Sequence, residues 1–87
     1  MRTYITASIG SVTSAARLAR LARAKGADAA VVQTPSQLSR GGCAYSIRIA
    51  ENEFDILSRA SQESGIKIKK LFKEEVCGRE RIYHDIS

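Results

Sequence analysis

The stretch that decides the fold is residues 3–9, which reads Thr-Tyr-Ile-Thr-Ala-Ser-Ile and is followed by Gly10 and Ser11. Its apolar and polar positions alternate, which is typical of a strand with one face on a core. Ser11 can cap a helix, because its hydroxyl accepts from backbone amides two or three residues on. Small and apolar residues then recur on one helical face at Val12, Ala15, Leu18, Ala19 and Ala22. The pattern predicts a strand over 3–9 and a helix to about Lys25, with Gly26 as its stop.

Two further strands are predicted on either side of a polar segment. Residues 29–33 contain two valines and end at Thr34-Pro35, where the proline removes a ladder donor. Residues 43–49 alternate again, with Cys43, Tyr45, Ile47 and Ile49 on one face. The glycine-containing loop between these strands is therefore the expected functional surface.

The second half of the chain repeats the helix and strand order. Residues 51–64 place apolar side chains at helical spacing, carry acidic residues in the first turns and stop at Gly65. Isoleucine and lysine alternate over 66–69, which predicts a fourth strand whose lysines suit a sheet edge. Residues 73–87 show no clean period, so their structure is left open.

This βαββαβ path predicts an α+β fold of the ferredoxin-like kind. In it, a four-stranded antiparallel sheet has the order 4-1-3-2 and both helices cover one face. We expect a single domain over 1–72 and a C-terminal extension over 73–87. The predicted core between sheet and helices consists of Ile5, Ala7, Leu18, Ala19, Ile47, Ile49, Leu57 and Ile68.

Composition and charge point to an ordinary globular protein. Of its 87 residues, 44% are hydrophobic and 26% charged, which is far from the composition of disordered chains. No stretch has the length of an apolar membrane span, and the N-terminus lacks the apolar core of a secretory signal, so we expect a cytoplasmic protein with no membrane partner. The net charge of +5 is spread along the chain, which favours a solvated surface over a nucleic-acid partner.

Cys43 is the strongest candidate for chemistry. The loop residues Arg40, Gly41 and Gly42 precede it and leave backbone space beside the thiol. In the predicted sheet, strand three begins where strand one ends, so Cys43 should face the Ser11 cap. Free amides and the helix dipole there favour a thiolate and would lower the cysteine pKa from about 8.5. The alternative is that Cys43 is a small buried hydrophobe.

Other kinds of site find less support in the sequence. Cys77 lies beyond the regular pattern and is expected to be dispensable, or to resolve Cys43 through an intramolecular disulfide if the tail folds back. Zinc needs about four ligands, and Cys43, Cys77 and His84 are three scattered ones, so no metal is expected. The chain also lacks a phosphate-cradling glycine loop, and no cofactor is expected.

The set Thr34-Pro35, a short polar loop, Cys43 and then Ser46-Ile47-Arg48 resembles the short bacterial domain family DUF3343. That family is described as selenium or sulfur carrier-like proteins. The match covers about residues 3–72. Two positions depart from the family pattern, since Ser36 stands where an arginine or lysine is usual and Ala44 where a glycine is usual.

The resemblance implies that Cys43 accepts a sulfur or selenium atom as a persulfide or selenopersulfide and passes it on. Its partners would be donor and acceptor proteins, so we expect a carrier or binding protein more than a turnover enzyme. The residues expected to support the thiol are Ser11, Pro35, Arg40, Gly41, Gly42 and Arg48.

The alternative function is a non-catalytic ferredoxin-like module that dimerises or regulates a partner. The sheet face opposite the helices carries polar side chains at Tyr4, Thr6, Ser46 and Arg48, and the predicted fold leaves it uncovered. Homodimerisation through this face is therefore also predicted.

Overall fold

The computed structural model describes residues 2–34 and 45–86, so Met1, residues 35–44 and Ser87 lie outside the description. In chain order, the elements are β1 (Arg2–Ile9), α1 (Val12–Ala24), β2 (Ala30–Gln33), β3 (Tyr45–Ala50), a 3-10 turn (Glu51–Glu53), α2 (Phe54–Ser64), β4 (Lys70–Cys77) and β5 (Glu80–Asp85). Within this part of the chain, no helix is long and apolar enough to cross a bilayer.

The strands form a five-stranded antiparallel sheet in the order β2-β3-β1-β4-β5. The first four strands have the predicted order, read from the opposite edge. The predicted number of four strands is wrong, because the C-terminal segment adds β5 beside β4. Gly78 lies in the turn between them at a φ of 62°, which a residue without a side chain adopts freely.

The fourth strand differs from its prediction in both position and environment. It begins at Lys70 and lies between β1 and β5, whereas the alternation over 66–69 predicts an edge strand. Ile66 and Ile68 instead belong to the connection after α2 and pack half-buried against the core. The two isoleucines alternate with lysines because one side of this connecting segment packs on the core. The edge strand of the sheet on this side is β5.

The two helices begin and end close to their predicted limits. Ser11 caps α1 in an extended conformation, and its Oγ accepts from the Ser14 amide at 3.1 Å. The predicted second helix starts as a 3-10 turn and continues as α2 to Gly65, whose φ of 74° ends it in the left-handed conformation.

The core lies between one face of the sheet and both helices. Alternate residues of β1 and β3 pack there against the alanine face of α1 and against Leu57 and Ala60 of α2. Alanines on α1 let the helix approach the sheet closely. Of the predicted core residues, Ile68 is half-buried, and the others are buried as predicted: Ile5, Ala7, Leu18, Ala19, Ile47, Ile49 and Leu57.

Candidate functional site

Most of the residues that the sequence assigns to the thiol site fall in one segment. Outside the described residues lie Pro35, Arg40, Gly41, Gly42 and Cys43. The described residues on either side of this segment show where the chain enters and leaves it. These flanks therefore show at which end of the sheet the chain leaves β2 and at which end β3 begins.

The flanks of the segment meet at the ends of two paired strands. Gln33 of β2 pairs with Tyr45 of β3, so the chain leaves and re-enters the sheet at neighbouring positions. The hydroxyls of Thr34 and Ser46 are 2.6 Å apart and buried. Because a buried hydroxyl needs a partner, this hydrogen bond ties the two ends of the segment together. Sequence reasoning missed the pair, since nothing local links positions 34 and 46.

The start of β3 and the N-terminus of α1 lie at the same end of the sheet. Tyr45 pairs with Ile9, the last residue of β1, and Ser11 follows two residues later as the helix cap. The antiparallel pairing that the sequence predicted for strands one and three is therefore present. Tyr45, the first residue of β3, therefore lies at the end of the sheet where the helix cap follows β1.

Ser11 uses its hydroxyl for capping. Its Oγ accepts from the Ser14 amide, and its carbonyl accepts from the Ala15 amide. The first N–H groups of a helix otherwise lack intrahelical partners and carry the positive end of the dipole. The backbone amides at this helix end are therefore suited to stabilise an anion, and the Ser11 hydroxyl is engaged as the helix cap.

Arg48 points to a different part of the molecule, the sheet face opposite the helices. Its Nη2 lies 2.9 Å from Glu74 Oε2 and its Nε 3.3 Å from Oε1, which makes a bidentate pair. Its guanidinium carbon also lies 3.8 Å from the centroid of the Tyr4 ring. Arg48 thus neutralises a carboxylate whose side chain is only 2% exposed. Glu74 was missed because residues 73–87 lack a clean period.

The polar face is closed over more than the sequence predicts. Thr6, Ser8 and Ser46 are at most 3% exposed, so the prediction that this face is uncovered is wrong for its central positions. A cavity of about 140 Å³ on this face is lined by Val32 of β2 and by Tyr83 of β5, although these strands are opposite edges of the sheet. The sheet therefore curls around this face, as the twist of a five-stranded sheet allows.

Cys77 lies far from the start of β3. The thiol is exposed at the end of β4, next to Val76, which pairs with Arg2. Arg2 and Ile9 are at opposite ends of β1, about 23 Å apart at the rise of a strand. Cys43 is two residues before Tyr45 in the sequence, and two extended residues span about 7 Å. The Cα atoms of two cysteines joined by a disulfide lie within about 7 Å of each other. Cys77 therefore lies at the end of the sheet away from Tyr45, and the resolving role that the sequence suggests for it stays a prediction.

Comparison with known families gives one result. A family model described as "Putative Se/S carrier protein-like" matches residues 4–73. Because this range covers most of the chain, from β1 into β4, the chain belongs to that family, as the motif around Cys43 predicted. The turn at Gly78 and β5 lie beyond the matched residues. No match was found among curated proteins or solved structures.

Proposed function

We propose that this protein carries sulfur or selenium as a terminal atom on Cys43. The observation that carries the proposal is the family match over 4–73, which spans Cys43 and both strands that flank its segment. The partners are a donor protein with a persulfide or selenopersulfide and an acceptor protein. The transfer itself needs no metal or bound cofactor.

The arrangement at this end of the sheet supports a reactive thiol. Tyr45, two residues after Cys43, pairs with Ile9, and the N-terminus of α1 begins two residues beyond Ile9. A thiolate near such a helix end is favoured over the thiol, so we predict that the pKa of Cys43 lies below the ordinary cysteine value of about 8.5. In this proposal Gly41 and Gly42 leave space for a partner's thiol, and Arg40 adds positive charge.

The chemical step is a thiol exchange at sulfur. The Cys43 thiolate attacks the terminal sulfur of the donor persulfide, a new S–S bond forms on Cys43, and the donor's own S–S bond breaks. The donor cysteine leaves as a thiolate and takes up a proton from water. The acceptor thiolate then attacks the terminal sulfur on Cys43 in the same way. No net oxidation or reduction occurs, because each S–S bond broken is replaced by another.

Intact-mass measurement tests the proposal directly. The protein is mixed with a cysteine desulfurase and cysteine, and we expect the mass to increase by one sulfur atom in the wild type and in Cys77→Ser. Cys43→Ser should stay unmodified. Equal sulfur loading of Cys43→Ser and the wild type would contradict the proposal. A wild-type protein that takes up no sulfur but still forms a dimer would favour the alternative function, a non-catalytic ferredoxin-like module.

The pH dependence of alkylation tests the reactivity of Cys43 separately. Iodoacetamide reacts with the thiolate, so we expect Cys43 to be modified at lower pH than Cys77, which serves as the internal control. Peptide mass mapping assigns the two sites. If both thiols react with the same pH profile, Cys43 has no special environment.

A further inference from the structure

The outer edge of β5 is an open strand edge. Among the described residues, no strand pairs with it, and β5 is the last strand of the sheet. Five of its six residues are exposed, and Tyr83 is half-buried. Exposed edges invite pairing with another strand unless the side chains oppose it. The side chains of β5 therefore decide what this edge accepts.

The hydrogen bonds to β4 show which backbone groups of β5 point outward. The Ile86 amide donates to the Leu71 carbonyl at 2.9 Å. In an antiparallel ladder, bonded positions alternate, so His84, Ile82 and Glu80 also bond inward to β4. The amides and carbonyls of Arg81 and Tyr83 consequently face away from the sheet. By the same alternation the backbone groups of Asp85 also face outward, and a strand that pairs with the middle of β5 bonds to Arg81 and Tyr83.

We propose that β5 pairs antiparallel with β5 of a second copy of this chain, with the two-fold axis at Ile82. In this register Arg81 lies opposite Tyr83 of the second copy, so their outward backbone groups bond to each other. The two five-stranded sheets then form one continuous sheet, and the two-fold axis closes the assembly.

The side chains complement one another in this register. Ile82, which is 44% exposed, contacts Ile82 of the second copy across the axis, and this contact removes apolar surface from water. Glu80 lies opposite His84, and Arg81 lies opposite the Tyr83 ring, the same pairing of guanidinium and ring that Arg48 and Tyr4 make. Each polar contact occurs twice because of the symmetry.

Neighbouring registers fit less well. An axis at Arg81 places two arginines directly opposite each other, which is repulsive. An axis at Tyr83 moves Ile82 opposite His84 and separates the two isoleucines. An axis that passes between two residues places an outward-facing residue of one β5 opposite a residue of the other β5 whose backbone bonds to its own β4, so the two cannot form hydrogen bonds. Among these registers, the one centred on Ile82 satisfies the outward backbone groups and also brings the complementary side chains together.

This interface differs from the sheet face that the sequence predicted for dimerisation. On that face Thr6 and Ser46 are buried within one copy and Tyr4 and Arg48 are half-buried, whereas no described strand pairs with the outer edge of β5. The inference does not depend on carrier chemistry, since β5 lies outside the residues that match the carrier family. Sulfur loading and dimerisation therefore fail or succeed independently.

Cross-linking tests the register. In a Cys43→Ser/Cys77→Ser background, Ile82→Cys places two thiols directly opposite, with Cβ atoms about 5 Å apart, and mild oxidation should give a covalent dimer. The matched control Tyr83→Cys places its thiols diagonally, about 7–8 Å apart, and should stay monomeric. Equal cross-linking of both variants, preferential cross-linking of Tyr83→Cys, or no cross-linking of Ile82→Cys would overturn the proposal.

Sedimentation equilibrium tests the dimer without cross-links. The wild type should show a concentration-dependent dimer, and Ile82→Lys should be monomeric because it opposes two like charges at the axis. Val12→Lys is the matched control, since Val12 is 48% exposed on α1, far from β5 in the chain, and should still dimerise. An unfolding midpoint equal to that of the wild type, compared at concentrations low enough that the wild type is monomeric, shows that the fold of Ile82→Lys is intact. A monomeric wild type at the concentrations of the cross-linking experiment, or a dimeric Ile82→Lys, would overturn the proposal.

Discussion

At the residue scale, Glu74 is the one charged side chain that the fold buries among the described residues. Removing a carboxylate from water is costly unless an opposite charge and hydrogen bonds replace its hydration. Arg48 supplies both through its bidentate contact, and the Tyr4 ring covers the guanidinium. Arg48 therefore has a structural role in this fold, beside the supporting role that the family resemblance assigned to it.

Removing Arg48 should destabilise the protein strongly. Arg48→Met leaves the Glu74 carboxylate buried without a partner, so we expect the free energy of unfolding to fall by about 3–5 kcal/mol. Denaturant titration measures the change. Arg48→Lys keeps the charge but loses the planar bidentate contact, so its loss should be smaller.

A double variant distinguishes the contribution of the Arg48–Glu74 ion pair from the cost of leaving the Glu74 carboxylate buried without a partner. Arg48→Met/Glu74→Leu removes both charges and should recover much of the stability lost in Arg48→Met. If Arg48→Met is as stable as the wild type, the pair contributes nothing and the structural role is wrong.

At the element scale, the helix cap connects folding to the proposed chemistry. Ser11→Ala removes the bond to the Ser14 amide and should lower stability by about 1 kcal/mol. The control is Thr13→Ala, because Thr13 is exposed and its side chain makes no cap bond. If the Cys43 thiolate is stabilised at this terminus, Ser11→Ala should also shift alkylation of Cys43 to higher pH. A destabilised variant with unchanged Cys43 reactivity would separate the cap from the thiol.

The register of β4 carries a prediction about the two cysteines. Because Cys77 lies at the end of the sheet away from Tyr45, mild oxidation should leave two free thiols in the monomer. Thiol titration after separation of the monomer by size measures this. A monomer that has lost both thiols and gained an internal disulfide would mean that the tail reaches Cys43 by leaving the sheet.

At the scale of the whole molecule, a small core lies between one sheet face and two helices. Leu18 and Leu57 are fully buried in it, one from each helix. A buried leucine changed to alanine typically costs about 2–5 kcal/mol, which is a large share of the stability of so small a domain. We therefore expect Leu18→Ala and Leu57→Ala to lower the denaturation midpoint markedly.

An exposed apolar residue provides the comparison for these core variants. Val12→Ala removes a side chain that is 48% exposed and should change the midpoint little. If all three variants unfold at the wild-type midpoint, the two leucines do not belong to a cooperative core.

The sequence alone determined the features that depend on local periodicity and on end signals. The alternation in 3–9 and 43–49 predicted the strands that face the helices, and Ser11 and Gly65 predicted the limits of the helices. These signals are local, because a side chain's direction along a strand or helix follows from its neighbours in the chain. The motif around Cys43 is local in the same sense, and its residue types alone pointed to the carrier-like family.

The tertiary structure decided what depends on contacts between distant residues. Residues 72–77 of β4 pair with β5 across the turn at Gly78, so neither the fifth strand nor the burial of Glu74 follows from alternation alone. The bond between Thr34 and Ser46, the Arg48–Glu74 pair and the curl that closes the polar face also join residues that are far apart in the chain. Hydrogen-bond partners and burial are set by which strands lie side by side, and that choice is made by the whole fold.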